Sequence, residues 1–257
     1  MAQSLAGRVA LITGGGTGIG RSTAEQMAAQ GATVIVVGRR QAPLDEVVAA
    51  IGDKASAITA DLADPSEAER LAAEVLAVHG RVDILVNNAG FSSKVRNPRY
   101  ADAEEWRAVM DVNTLGPMIL TRELLPSMSA NGGGDVVLVS SMAALRPNVM
   151  AGVAYSAAKA AARAYMQVLT EEVRSEGIRC TTVFPGEVDT PILDNRPLPP
   201  DAAARATMMM PEDIAEAIVL AVALPRRTTM LEVTLGATHP RDMREDVRVA
   251  REKRAVD

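Results

Sequence analysis

The chain has one cysteine, Cys180, and two histidines among 257 residues. A single thiol excludes an internal disulfide and a cysteine metal cluster, and His79 and His239 do not cluster in the sequence, so no metal is expected. Cys180 falls in the apolar run 178–184, the setting of a buried structural thiol rather than a nucleophile. His79 precedes Gly80 at a helix end and His239 precedes Pro240, which suits capping or surface roles. Aromatic residues make up only 2% of the chain, so any pocket should be mainly aliphatic. No apolar run is long enough to span a membrane, and residues 1–7 lack both a basic stretch and a long apolar stretch; the expectation is a soluble, cytoplasmic protein. The charge balance, 27 Lys and Arg against 32 Asp and Glu, gives −5, and the cations are scattered, so there is no basic field for nucleic acid.

What the chain does have is 48% hydrophobic residues, enough for one substantial core over its 257 positions. Short β-branched runs at 9–13, 33–37, 55–59, 84–87, 136–140, 179–184 and 231–235 alternate with Ala/Glu/Leu-rich stretches at 18–30, 44–51, 66–79, 104–129, 154–176 and 211–224. Most of the short runs are apolar throughout, as strands buried on both faces are. The pattern predicts a single α/β domain over residues 1–257, Rossmann-type and doubly wound, with about seven mainly parallel strands and helices on both faces. No fixed-period repeat or strong linker interrupts it, and 131–134 reads as a loop.

In such a sheet ligands gather beyond the carboxyl ends of the strands, so the residues there carry the information. After the first strand comes Thr13 and then Gly14, Gly15, Gly16, Thr17, Gly18, Ile19 and Gly20. Glycines at 14, 18 and 20 allow a tight turn, a close approach to a pyrophosphate, and a helix whose free N–H groups face the anion. A ligand-free glycine turn has the same composition. After the second strand stand Arg39 and Arg40, where an NAD site would carry an acid for the ribose hydroxyls. Two guanidiniums suit a 2′-phosphate, which favours NADP(H) over NAD(H); a surface pair is the other reading. Asp61, followed by Leu62, either accepts from an adenine amino group or caps a turn. Asn87, Asn88, Ala89 and Gly90 let the backbone pass close to a cofactor, or form only a turn.

Beyond Ser140 and Ser141, Tyr155 and Lys159 are four apart and so share one helix face. A phenol has a pKa of about 10, too high for a base at neutral pH. A nearby ammonium and the positive end of a helix would both favour phenolate, making Tyr155 a proton shuttle. A core tyrosine beside a solvated lysine is the alternative.

Together, Thr13-Gly14-x3-Gly18-x-Gly20, Asn87-Asn88-Ala89-Gly90, Asn113, Ser141, Tyr155-x3-Lys159 and Pro185-Gly186-x-Val188-x-Thr190 resemble the short-chain dehydrogenase/reductase family in order and spacing, over residues 5–236. The resemblance implies hydride transfer between a nicotinamide and a carbonyl or secondary alcohol of a small molecule. Tyr155 would be the general acid/base, and Lys159 would lower its pKa and hold the nicotinamide ribose. Ser141 would bond the substrate carbonyl and Asn113 would support a relay water. Pro185, Gly186, Val188 and Thr190 would join the glycine loop in holding the cofactor, and Arg39 matches the basic position of NADP-preferring members. It also implies a homo-dimer or homo-tetramer. A non-catalytic NADP-binding sensor is the alternative, which would not need Asn113, Ser141, Tyr155 and Lys159 together.

The chain departs from the family pattern in three places. The serine usually stands thirteen positions before the tyrosine, but Met142 is there and Ser141 lies fourteen before, which reads as a one-residue insertion within 143–152, with Ser140 as the substitute. Glu187 puts an acid inside the Pro185-Gly186 motif, facing solvent or substrate. Residues 189–210, with Pro197, Pro199, Pro200 and Met208 to Met210, read as a substrate lid or as ordinary core beside a helix. Lys94, Arg96 and Arg146 either meet an anionic substrate or are solvated surface charges. The charged segment 238–257 reads as a solvated tail or a short helix docking on a neighbouring subunit, with Arg241 and Glu245 spaced for a helical ion pair.

Overall fold

The computed structural model describes residues 4–253. The first strand, β1 (Val9–Thr13), enters helix α1 (Gly18–Ala29) through the glycine loop, and β2 (Thr33–Gly38), α2 (Gln41–Ile51), β3 (Ala55–Thr59) and α3 (Pro65–His79) follow. The chain then crosses back to β4 (Ile84–Asn87), α4 (Ala103–Met110), α5 (Gly116–Ala130), β5 (Gly134–Val139), α6 (Val153–Val173) and β6 (Ile178–Pro185). Short α7 (Ala202–Arg205), α8 (Pro211–Ala223), β7 (Glu232–Leu235) and α9 (Arg244–Glu252) complete it. The seven strands form one sheet in the order β3-β2-β1-β4-β5-β6-β7, and every pairing is parallel. The doubly wound α/β architecture is therefore as the sequence pattern predicts.

Alternation along the strands divides the core in two. Ile12, Val36, Val137 and Val183 face α1, α2 and α8, meeting Met27, Leu44 and Ile218. Leu11, Ile35, Leu85 and Cys180 face α3, α5 and α6, meeting Leu71, Leu124 and Met166. All residues of β4, β5 and β6 are buried, as in strands covered on both faces. The order in which strands are added to the sheet reverses between the parallel strands β1 and β4, so their carboxyl ends open the crevice where such folds bind ligands.

The stretch 104–129 is not one regular helix. A single π-helical turn, Asp111–Leu115, separates α4 from α5. Gly116 passes so close to the chain that a Cβ would overlap the Leu62 carbonyl oxygen. The wider turn frees a carbonyl at Val109, and the Asn113 amide donates to it at 2.8 Å. At the other end of the chain, α9 packs on its own subunit: Ala250 is buried and the Arg251 carbonyl accepts from Asn97 Nδ2 at 2.7 Å. Arg241 does not pair with Glu245, because the helix begins only at Arg244 and the i,i+4 relation does not apply; Glu245 pairs with Arg248 instead. Residues 254–257 of the predicted tail lie outside the described residues.

Candidate active site

The glycine loop is held shut by its neighbours. Thr13 Oγ1 accepts the N–H groups of Asn88 and Ala89, each at 3.0 Å, and Asn88 Nδ2 donates to the carbonyls of Thr13 and Gly14. These bonds pin the end of β4 across the turn after β1. Gly14 has φ 63° and Gly18 φ 52°, both in the left-handed region. At Gly20 a Cβ would overlap the Gly14 carbonyl oxygen and lie 2.5 Å from Asn88 Nδ2. Helix α1 starts with no side-chain cap and no acid in its first turn, leaving its N–H groups and positive dipole end for an anion. This cradle fits a pyrophosphate.

The cradle opens into a cleft of about 840 Å³, lined by Gly14, Thr17, Gly18, Ile19, Asn88, Ala89 and Gly90 on one side and Ser140, Ser141, Tyr155 and Lys159 on the other. Pro185, Gly186, Val188 and Thr190 line it as well. Gly16 and Gly20 lie behind the loop rather than on the cleft wall, Gly16 against Pro43 and Leu44. Arg39 and Arg40 are exposed at the end of β2, outside this wall. Asp61 Oδ1 accepts from Ala63 N at 3.1 Å, a turn cap, and Leu62 is buried in the core. The apolar lining is aliphatic, including Met142, Met150, Ile192, Leu193, Leu235, Met243 and Val247, and Tyr155 is its one aromatic residue.

Of the two serines, Ser141 hydrogen-bonds the Tyr155 phenol, whereas Ser140 Oγ donates to the Lys159 carbonyl at 3.4 Å. Lys159 is buried, and its Nζ donates to the Val139 carbonyl at 3.0 Å. Burial pushes its pKa from 10.5 down to about 8. The expectation of a lowered phenol pKa at Tyr155 is corrected here. Burial is the largest influence and raises it, against the Ser141 hydrogen bond and the positive charges of Arg96 and Arg196, which lower it. Asn113 is buried behind the site, with Nδ2 donating to the Phe91 carbonyl at 2.7 Å. A Cβ on Gly90 would stand 3.2 Å from Asn113 Oδ1 and 3.5 Å from Lys159 Nζ, so the glycine gives these two groups a common flank.

Glu187 faces neither open solvent nor an uncharged wall. It accepts from Arg196 Nη1 at 2.6 Å and from two Arg241 nitrogens at 3.0 Å, and Arg241 also donates to Asp246. The brace draws the start of α9 over the cleft, bringing Met243 and Val247 to its rim. Arg196, Arg241, Met243 and Val247 had no motif to mark them; the density of charge after residue 240 was the only signal. Met208 and Met209 are core residues, and Val188 bridges to Met209, so the cover over the cleft comes from Pro191, Ile192 and Leu193 instead. Cys180 is buried, its thiol pushed up to about 12 by desolvation, and is no nucleophile. Among the described residues no group of His, Cys, Asp and Glu forms a metal site, and no helix is long and apolar enough to cross a membrane.

Residues 8–199 match the family model described as short chain dehydrogenase, and the chain belongs to that family, as an oxidoreductase. It is 35% identical over 234 residues to an uncharacterized oxidoreductase of Staphylococcus saprophyticus, covering 89% of this chain and 96% of that protein. Among solved structures it is similar to a 3-ketoacyl-(acyl-carrier-protein) reductase from Brucella melitensis complexed with NADH, with TM-score 0.83, 31% identity and 91% and 99% of the two chains covered. It is also similar to the closed form of a serine dehydrogenase complexed with NADP+, with TM-score 0.82, 29% identity and 89% and 94% covered.

Proposed function

We propose that the protein is an NADP(H)-dependent oxidoreductase acting on a carbonyl or secondary alcohol, with Tyr155 as general acid/base. The observation that carries this reading is the meeting of the glycine cradle and the Ser141-Tyr155-Lys159 group on the walls of one cleft. When bound, the dinucleotide supplies or receives the hydride. In reduction the carbonyl carbon gains that hydride with its two electrons, the oxygen takes the Tyr155 proton, and an alcohol leaves. Ser141 orients the oxygen and polarises it through the hydroxyl that also bonds Tyr155. Lys159 holds the nicotinamide ribose, and Asn113 fixes the backbone at Phe91 that backs it. Gly14, Thr17 to Ile19, Asn88 to Gly90, Pro185, Gly186, Val188 and Thr190 hold the remainder of the dinucleotide, with Gly20 allowing the turn to close behind them. Arg39 and Arg40, exposed and free of any acid after β2, offer paired donors to a 2′-phosphate. Within segment 189–210, the turn at Pro191, Ile192 and Leu193 serves as the substrate lid. A sensor without catalysis would have no use for a buried lysine in contact with the cleft.

The test is oxidation of NADPH and of NADH across ketones, quinones, sugars and acyl-thioester ketones. NADPH is the better cofactor, and Arg39→Asp weakens or reverses that preference. Equal use of both cofactors by the unaltered protein removes the role given to Arg39, and no oxidation with any acceptor removes the enzyme reading.

A further inference from the structure

Arg96 lies in the loop between β4 and α4 and lines the cleft, yet the residue is only 4% exposed. A buried guanidinium ordinarily has a carboxylate partner. Among the described residues no carboxylate forms an ion pair with it. Its Nη1 donates to the Ser92 hydroxyl and, at 2.7 Å, to the Ala151 carbonyl; its Nε is buried with no acceptor at all. The charged and titratable groups that reach it are Arg196, which repels it, Tyr155, which attracts it only as phenolate, and Glu105, which attracts it without forming an ion pair. Desolvation and Arg196 bring its pKa down to about 10, so it remains a cation at neutral pH.

The backbone is shaped around this cation. Gly152 has φ 84°, and a Cβ there would stand 2.7 Å from Arg96 Cδ. Val153 N donates to the Arg96 carbonyl at 3.2 Å. Both contacts come from the loop that is one residue longer than the family spacing between serine and tyrosine. The wider cleft repeats the charge bias. Arg96, Arg146, Lys159, Arg196 and Arg241 line it against the single acid Glu187, in a chain whose net charge is −5. Glu187 is already shared by Arg196 and Arg241. Arg96 and Arg146 are left over, one deep and one exposed at the mouth. Arg96 is close enough to Tyr155 to act on its phenol electrostatically.

We infer that the substrate carries a carboxylate close to its reacting carbon, bound by Arg96 and drawn in past Arg146, so that the protein works on oxo acids or hydroxy acids. The inference rests on the oxidoreductase reading of the same cleft. A planar guanidinium with its Nε side unmet accepts a two-oxygen group in paired hydrogen bonds, which is carboxylate geometry. It also supplies the countercharge that the fold withholds.

The experiment has a binding arm and a turnover arm. Butanoate and butanamide are titrated calorimetrically into the protein with and without NADP+. Reduction by NADPH is followed with 3-oxobutanoate and with its methyl ester. The unaltered protein binds butanoate at least tenfold tighter than the amide and has at least tenfold higher kcat/KM for the acid than for the ester. Arg96→Met collapses both ratios towards one, and Arg96→Lys restores part of each. Equal binding of acid and amide by the unaltered protein, undetectable butanoate binding, or an Arg96→Met variant that keeps the preference overturns the inference. Turnover of acid and ester without preference overturns it while leaving the oxidoreductase reading intact. Tight butanoate binding with turnover that survives Tyr155→Phe does the reverse.

Discussion

The Lys159 ammonium sits 5.7 Å from the centroid of the Tyr155 ring and gives a hydrogen bond to the Val139 carbonyl at 3.0 Å. Burial acts on the two groups in opposite senses. It penalises the charged form of each, raising the phenol and lowering the ammonium. The cost is charged to the fold and the benefit appears only in the chemistry.

That cost is measurable as a pH dependence of stability. Lys159 falls from 10.5 to about 8, so between these values the unfolded chain binds more protons than the native one, and native stability rises with pH across that window. Full burial of the cation below pH 8 corresponds to a penalty on the order of 3 kcal/mol. Lys159→Met removes it. Urea unfolding from pH 7 to 10.5 shows the variant more stable than the unaltered protein at pH 7, with the difference shrinking towards pH 10.5. A difference that does not change with pH contradicts this.

Gly20→Ala tests the cradle. The added methyl overlaps the Gly14 carbonyl, and neither that backbone nor Asn88, tied to Thr13 and Gly14, can yield cheaply. NADPH affinity by cofactor fluorescence falls at least tenfold, and the melting temperature drops. Unchanged affinity means the dinucleotide does not lie on this turn.

The far end of the sheet carries a purely structural charge cluster. Asp135 on β5 is 3% exposed and takes ion pairs from Arg8, from Arg179 at 2.7 Å and from Arg226 at 3.4 Å. Arg179 also ties the carbonyls of Val222, Leu224 and Thr228, closing the end of α8 onto β6. Asp135→Asn leaves these guanidiniums without their shared anion and costs about 3 kcal/mol or more. Urea unfolding shows the loss, while kcat per folded molecule is retained, since the cluster is at the opposite end of the strands from the cleft. A loss under 1 kcal/mol contradicts the assignment.

The fold was legible because most of its strands are buried on both faces and its helices are not. Apolar runs such as Val136 to Val139 admit few other readings, and strand ends were placed within two residues. The π turn at Asp111–Leu115 was not legible, since one extra residue in a helix leaves no periodic trace over so short a span. The glycine loop, Tyr155 and Lys159 were marked by spacing that local geometry requires. Arg96 stays open in the sequence between an anion contact and a surface charge, because its burial depends on the loop that encloses it. The partner of Arg241 was hidden, because Glu187 lies 54 residues away in sequence. The direction of the Tyr155 pKa depended on burial, which helix spacing cannot report.

Everything proposed for the cleft turns on proton transfer by Tyr155. Tyr155→Phe removes one oxygen from a buried ring and leaves the cradle and Lys159 in place. NADPH oxidation with the best acceptor, measured beside NADPH binding by fluorescence, is the direct measurement. Proton transfer by Tyr155 requires a fall in kcat of at least about a thousandfold with NADPH affinity unchanged within about twofold, a loss of the size general acid catalysis supplies. Turnover within tenfold of the unaltered protein contradicts it.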